Sequence, residues 1–186
     1  MAEQEYFPPL QRMLHWLTVL LVVPMVPMGF YMVYRYGATD FDATTKLIFK
    51  VHELIGFLLL WIVVARIVLR FAQGVPPPVP TLTAFERLAA ALTHWGIYAL
   101  LIVIPVIGWI GASAYELLEL PFGLKLPAIA AKDGDYAGWI LGWHRRAAVV
   151  VSILAGLHIA AALMHRFVKK DGVLQRMWPS LGPPQR

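Results

Sequence analysis

The sequence predicts an all-α integral membrane protein, a bundle of four spanning helices. Three observations lead there. Four apolar runs of about twenty residues or more, each long enough for a hydrocarbon core of about 30 Å, are separated by polar stretches. The composition is 59% hydrophobic, too apolar for an ordinary soluble domain. The sixteen Lys and Arg residues, which give a net charge of +5, gather at the ends of those runs. That placement reads as membrane flanks and argues against nucleic acid as a partner. At 186 residues the chain is one domain, residues 1–186, with no internal repeat.

The first span covers residues 14–34. The stretch before it carries Glu3 and Glu5 where a signal peptide would carry basic residues, so the apolar run reads as a retained span. His15 stands at its start, and Pro24 and Pro27 inside it predict a kink. A polar loop, RYGATDFDATTK, leads to span two, residues 47–70, with His52 near its start. Gly56, one turn on, would let a flat macrocycle approach the backbone or would serve plain helix packing. Arg66 lies fourteen residues past His52, on nearly the same face at the other membrane surface. The connector 72–83 contains PPPVP and should be extended and stiff. Span three, residues 88–114, has His94 near its start and Pro105 in its middle. The longest loop follows, and ELLELPFGLKLP within it is amphipathic enough to lie on the membrane surface. Span four, residues 139–167, ends in a basic tail, RFVKKDGVLQRMWPS.

Span four carries His144, His158 and His165, at spacings of 14 and 7 residues. Those spacings return to within about 40° and 20° of the starting direction, so the three imidazoles share a stripe. His144 and His158 lie about 21 Å apart along the axis. A polar group deep in a membrane is costly and marks a functional site facing the protein interior. Alternating spans sort the histidines by depth: His15, His94 and His165 near one surface, His158 somewhat deeper on that side, His52 and His144 near the other. If metal centres are held between histidine pairs, the outer one has a single possible pair, His52 with His144. The inner one takes two of His15, His94, His158 and His165, with His158 the first; depth does not choose its partner.

The chain has no cysteine, which excludes disulfides, iron–sulfur clusters and thiolate ligation. Zinc sites usually complete a tetrahedron with carboxylates or thiolates. No acidic residue lies inside spans one, three or four, and Glu53 points about 100° away from His52. Two separated two-histidine layers suit six-coordinate haem iron, which moves electrons and does not readily bind oxygen. The expected cofactors are therefore two haem b groups, held without covalent attachment. A histidine-lined metal or proton transporter is the rival from another class, and it would be colourless.

The motifs LHWL around His15, VHELIG around His52, HWGIYALLIVIPVIGW from His94, WHRRA around His144 and GLHIAAALMHRF from Gly156 resemble bacterial cytochrome b561 over nearly the whole chain. That family comprises four-span di-haem proteins of the inner membrane and includes superoxide oxidase. The resemblance implies that His15 and His158 ligate the inner haem iron, and His52 and His144 the outer. It further implies that His94 and His165 belong to a ubiquinone site on the cytoplasmic side, and that superoxide gives up its electron at the periplasmic face.

The expected activity is accordingly electron transfer from the periplasmic side to ubiquinone, with superoxide oxidised to oxygen. Lys132, Arg145 and Arg146 would steer the anion, His94 or His165 would relay protons, and Arg66 or Arg12 would pair with haem propionates. Nine basic residues against seven place both termini in the cytoplasm of a bacterium, the chain being multi-pass in the inner membrane. The alternative is a cytochrome b subunit that takes electrons from a periplasmic donor, a partner dehydrogenase or hydrogenase, with the amphipathic outer loop as its docking surface.

Overall fold

A computed structural model describes residues 6–178. It contains four long helices: α1 (Pro9–Ala38), α2 (Ala43–Gln73), α3 (Ala84–Ala114) and α4 (Gly134–Met164). All four are long and apolar enough to cross a membrane. α4 continues as one π-helical turn, His165–Lys169. The helices alternate in direction. The Phe7 N–H donates to the Arg176 carbonyl at 3.2 Å, so the two described ends meet on one face, called inner below. Among the described residues the sole strand-like pairing is an isolated antiparallel bridge between Glu119 and Lys125.

Most of the helices overrun their apolar spans, because polar residues cap them beyond the hydrocarbon region. Pro9 opens α1, where its missing N–H costs nothing. The Asp42 carboxylate accepts from the Thr45 N–H at 2.8 Å and starts α2. Thr83 and Glu86 form a reciprocal capping box at the start of α3. Asp133 accepts from the Tyr136 N–H at 3.0 Å and starts α4 five residues before the predicted span. Pro24, Pro27 and Pro105 lie inside helices, as expected.

α3 and α4 pack most closely. A Cβ on Gly111 would stand 2.5 Å from Leu141, and one on Gly96 would stand 3.3 Å from Leu154. α1 packs on α2, and α2 on α3, but the backbone of α4 stands off from α1 and α2. Leu59, Val63, Leu101 and Val151 make the central core. Many large apolar side chains point outward, among them Leu20, Phe30, Val68 and Ile153. So much exposed apolar surface suits lipid and would be untenable in water.

The loop after α3, expected to be amphipathic, leaves Phe122 and Leu124 exposed and turns a second apolar face inward. It turns back as a hairpin, with Leu118, Leu120 and Leu126 buried against Ala112, Leu54, Phe57 and Trp109. Leu118 and Leu120 share a face because their period is two, the strand period, with Glu119 outward on Lys50 at 2.9 Å. Trp109 Nε1–H pins the loop by donating to the Pro127 carbonyl at 2.9 Å. The tail after α4 is also more than a basic flank. It folds under the inner end of the bundle, where Gln175 is buried and Trp16 Nε1–H donates to the Met177 carbonyl at 3.1 Å. Arg186, counted on the inner side, lies outside the described residues.

Candidate functional site

The histidines meet in two layers across the interval between α4 and the α1–α2 pair. In the outer layer His52 of α2 faces His144 of α4, with ring centroids 6.1 Å apart and planes at 67°. His144 Nδ1 lies 2.9 Å from the Ile104 carbonyl oxygen. A carbonyl only accepts, so Nδ1 carries the proton and Nε2 keeps its lone pair. Gly108, one turn further along α3, makes room for the ring: a Cβ there would stand 2.9 Å from His144 Nδ1. The stretch IPVIG thus forms the seat of His144, with Ile104 as acceptor and Gly108 as the gap. His52 Nδ1 is buried and has no hydrogen-bond partner. Gly29 lies beside it, where a Cβ would make ordinary contact with His52 Cε1 at 3.6 Å.

In the inner layer His15 of α1 faces His158 of α4 at 6.2 Å and 70°. His94 of α3 lies 5.1 Å from His158, ring centroid to ring centroid. The three rings therefore form one cluster. Arg66 of α2 reaches into this layer. Its guanidinium donates to Thr18 Oγ1 at 3.2 Å and to His15 Nδ1 at 3.1 Å, and lies 5.1 Å from the Tyr98 ring centroid.

His165 stands apart from these three. It is buried at the end of α4 with Nδ1 2.6 Å from Asp171 Oδ2, and both side chains are almost wholly enclosed. The sequence reading missed Asp171, which sits in a run of basic residues that look like a membrane flank. It also missed Thr18, Tyr98, Ile104 and Gly108, whose roles depend on neighbours from other helices. A Cβ on Gly56 would meet the Met25 side chain at an ordinary 3.7 Å. Arg12 lines an inner cavity of about 420 Å³ with Pro9, Met13, Trp16, Met177 and Trp178, and its buried Nε has no partner.

On the outer side Lys132 is ion-paired with Glu116, which offsets its charge. Arg146 lies over the Trp143 ring, 4.8 Å from its centroid, on an exposed aromatic ridge suited to the headgroup region. Arg145 is exposed and makes no hydrogen bond or ion pair among the described residues. A cavity of about 640 Å³ opens between the hairpin and α3, lined by Ser113, Glu116, Lys125 and Lys132 among others.

These residues fit haem iron. Two metal–nitrogen bonds of about 2 Å plus the ring radii bring a pair of imidazole centroids to roughly 6 Å. The His52–His144 and His15–His158 separations meet that requirement, and the His94–His158 separation is shorter. Among the described residues no three His, Cys, Asp or Glu side chains cluster as a zinc site would need. The buried, unpartnered His52 Nδ1 and the Gly108 gap both belong to a pocket shaped around imidazoles.

The family model described as prokaryotic cytochrome b561 matches residues 6–180. The chain is 32% identical over 167 residues to "Cytochrome b561 homolog 2" of Escherichia coli (strain K12), covering 88% of this chain and 86% of that protein. It is 30% identical over 170 residues to "Probable superoxide oxidase CybB" of Yersinia pestis, covering 91% and 94%. It is 26% identical over 181 residues to "Cytochrome b561 homolog 1" of Escherichia coli (strain K12), covering 93% and 97%.

Proposed function

The chain belongs to the prokaryotic cytochrome b561 family and is a multi-pass membrane electron carrier, and on that premise we propose that it oxidises superoxide at its outer face and reduces ubiquinone at its inner face. The single observation that carries the reading is the pair of two-histidine layers, each at the ring separation two imidazoles on one metal require. His52 with His144, and His15 with His158, would hold two b haems, which supply one-electron transfer across the bilayer when bound. Both termini lie in the cytoplasm and the chain resides in the inner membrane.

The remaining residues take up the substrates. Two superoxide anions each give up one electron and leave as oxygen; one ubiquinone takes the two electrons and two inner-side protons to become ubiquinol. Arg145, exposed and unpaired, draws the anion to the outer face, while Lys132 contributes less because Glu116 opposes it. At the inner side the His165–Asp171 pair holds an imidazole in fixed orientation, and with His94 it passes protons to the quinone. Arg66 and Arg12 pair with haem propionates.

Superoxide and a soluble ubiquinone analogue, mixed with the purified protein alone, test this directly. Rapid haem reduction by superoxide, followed by reoxidation on adding the quinone, is the expected result. A slow reaction that a partner dehydrogenase accelerates would make the chain a cytochrome b subunit instead. Haem content tests the ligands: two per chain, with His144→Ala losing one and His158→Ala the other. Loss of the same haem in both variants would overturn the two-layer assignment.

A further inference from the structure

Arg66 is the one charged side chain, among the described residues, within hydrogen-bond reach of a proposed haem ligand in either layer. It enters the bundle from α2 and lies between α1 and α3, held by Thr18 Oγ1 at 3.2 Å and by the Tyr98 ring. The Thr18 hydroxyl is itself anchored to the Leu14 carbonyl at 2.7 Å, which leaves its oxygen free to accept from Arg66. The outer layer has no cation in contact with a ligand; Arg145, the neighbour of His144, acts on it only through space from an exposed position, where solvent screens it. His144 meets a backbone carbonyl and the Gly108 gap, and His52 Nδ1 meets no partner at all.

We propose that Arg66 sets the direction of electron flow, by making the inner layer the place where an electron rests. Reducing a metal centre adds one negative charge to it. A fixed cation nearby favours that reduced state, and inside a protein the effect is weakly screened. At an effective dielectric of about 20, a unit charge within about 10 Å biases a one-electron equilibrium by more than tenfold. The asymmetry makes the step from the outer to the inner layer downhill, toward the quinone side.

The contact with His15 refines this. A guanidinium only donates, so His15 Nδ1 accepts from it and Nε2 carries the proton. Metal ligation through Nε2 needs that proton moved to Nδ1, so Arg66 then turns from the imidazole. A carboxylate of the haem is the partner such a cation would take. In either position the charge stays in the inner layer, and its removal lowers the inner potential: a bare propionate left behind adds to the effect.

This inference rests on the proposed ligand pairs, and a redox titration of the purified holoprotein separates the two. The haems are resolved spectrally and assigned by which band His158→Ala or His144→Ala removes. Arg66→Leu should shift the inner haem's reduction equilibrium at least tenfold toward the oxidised form, ~59 mV for one electron, and leave the outer haem in place. Arg66→Lys, which keeps the charge, should recover most of the shift. An unchanged inner haem, equal shifts in both haems, or a Lys variant as low as Leu would overturn the electrostatic role. A shift confined to the band that His144→Ala removes would overturn the ligand assignment instead. Should Arg66→Leu fail to hold the inner haem, the comparison of wild type with Arg66→Lys and Arg66→Gln decides, with Gln low and Lys near wild type as the expected order.

Discussion

Replacing Gly108 with alanine places one methyl group where the structure has room for none. The new Cβ would stand 2.9 Å from His144 Nδ1 and 3.0 Å from its Cε1. Neither neighbour yields easily. Gly108 lies on α3, which is locked to α4 by the Gly111–Leu141 contact, and His144 is held by its 2.9 Å bond to the Ile104 carbonyl. Overpacking of this kind costs about 1–3 kcal/mol, and loss of the imidazole hydrogen bond adds about 1 kcal/mol. If half of that total falls on His144 as a ligand, outer-haem affinity drops by about 1–2 kcal/mol, roughly five- to thirtyfold. Haem-to-protein ratio and the reduced-minus-oxidised spectrum measure it. The expected result is partial loss or an altered band of the haem that His144→Ala removes, with the other band intact. Gly29→Ala is the control, because its Cβ would meet His52 Cε1 at an ordinary 3.6 Å. A Gly108→Ala protein with two full, unshifted haem bands would refute the idea that IPVIG seats this histidine.

At the quinone side, Asp171→Asn should leave both haems bound and slow their reoxidation by a quinone analogue by roughly a hundredfold. His94 replacement should slow reoxidation in the same way, and loss of a haem there would mean that His94, not His15, partners His158. On the outer face, superoxide should reduce the protein at a rate that falls with added salt, and Arg145→Gln should flatten that slope more than Arg146→Gln, since Arg146 is engaged with Trp143; equal slopes for superoxide and a neutral reductant would reduce both arginines to membrane flanks. In the loop between α1 and α2, hydrogen bonds from the Thr45 hydroxyl and N–H, and then from Arg35, hold Asp42 below its usual 3.8 at about 2. Its stabilising effect is therefore complete above about pH 4 and fades as pH falls through about 2. Asp42→Asn should lower the melting temperature at pH 7, and the difference should shrink as the pH is taken down to and below about 2, by circular dichroism in detergent.

Four helices, their order and the meeting of the His52 and His144 rings were legible in the sequence. Apolar runs of membrane length admit helices and little else, and alternating spans leave only those two histidines at the outer level. Partner choice in the inner layer was not legible. His15, His94 and His158 form one cluster, and their separations follow from how α1 and α3 are placed about α4, which no spacing along one helix encodes. In the loop after α3 the alternation of Leu118, Glu119 and Leu120 was legible as amphipathic, but the apolar platform of Leu54, Phe57 and Trp109 that takes up its leucine face was not, because those residues come from other helices.

Composition, span length and the absence of cysteine determined by themselves that this chain has four spans of membrane length and that histidine is the one strong metal-ligating side chain repeated inside them, because a bilayer and a ligand inventory are constraints each residue meets alone. Tertiary structure decided which histidine meets which, that Ile104 and Gly108 seat one of them, that Arg66 reaches the inner layer, and that Asp171 fixes His165. Those are relations between residues on different helices, or across the turn that ends one, and they exist only once the helices have chosen their neighbours and rotations.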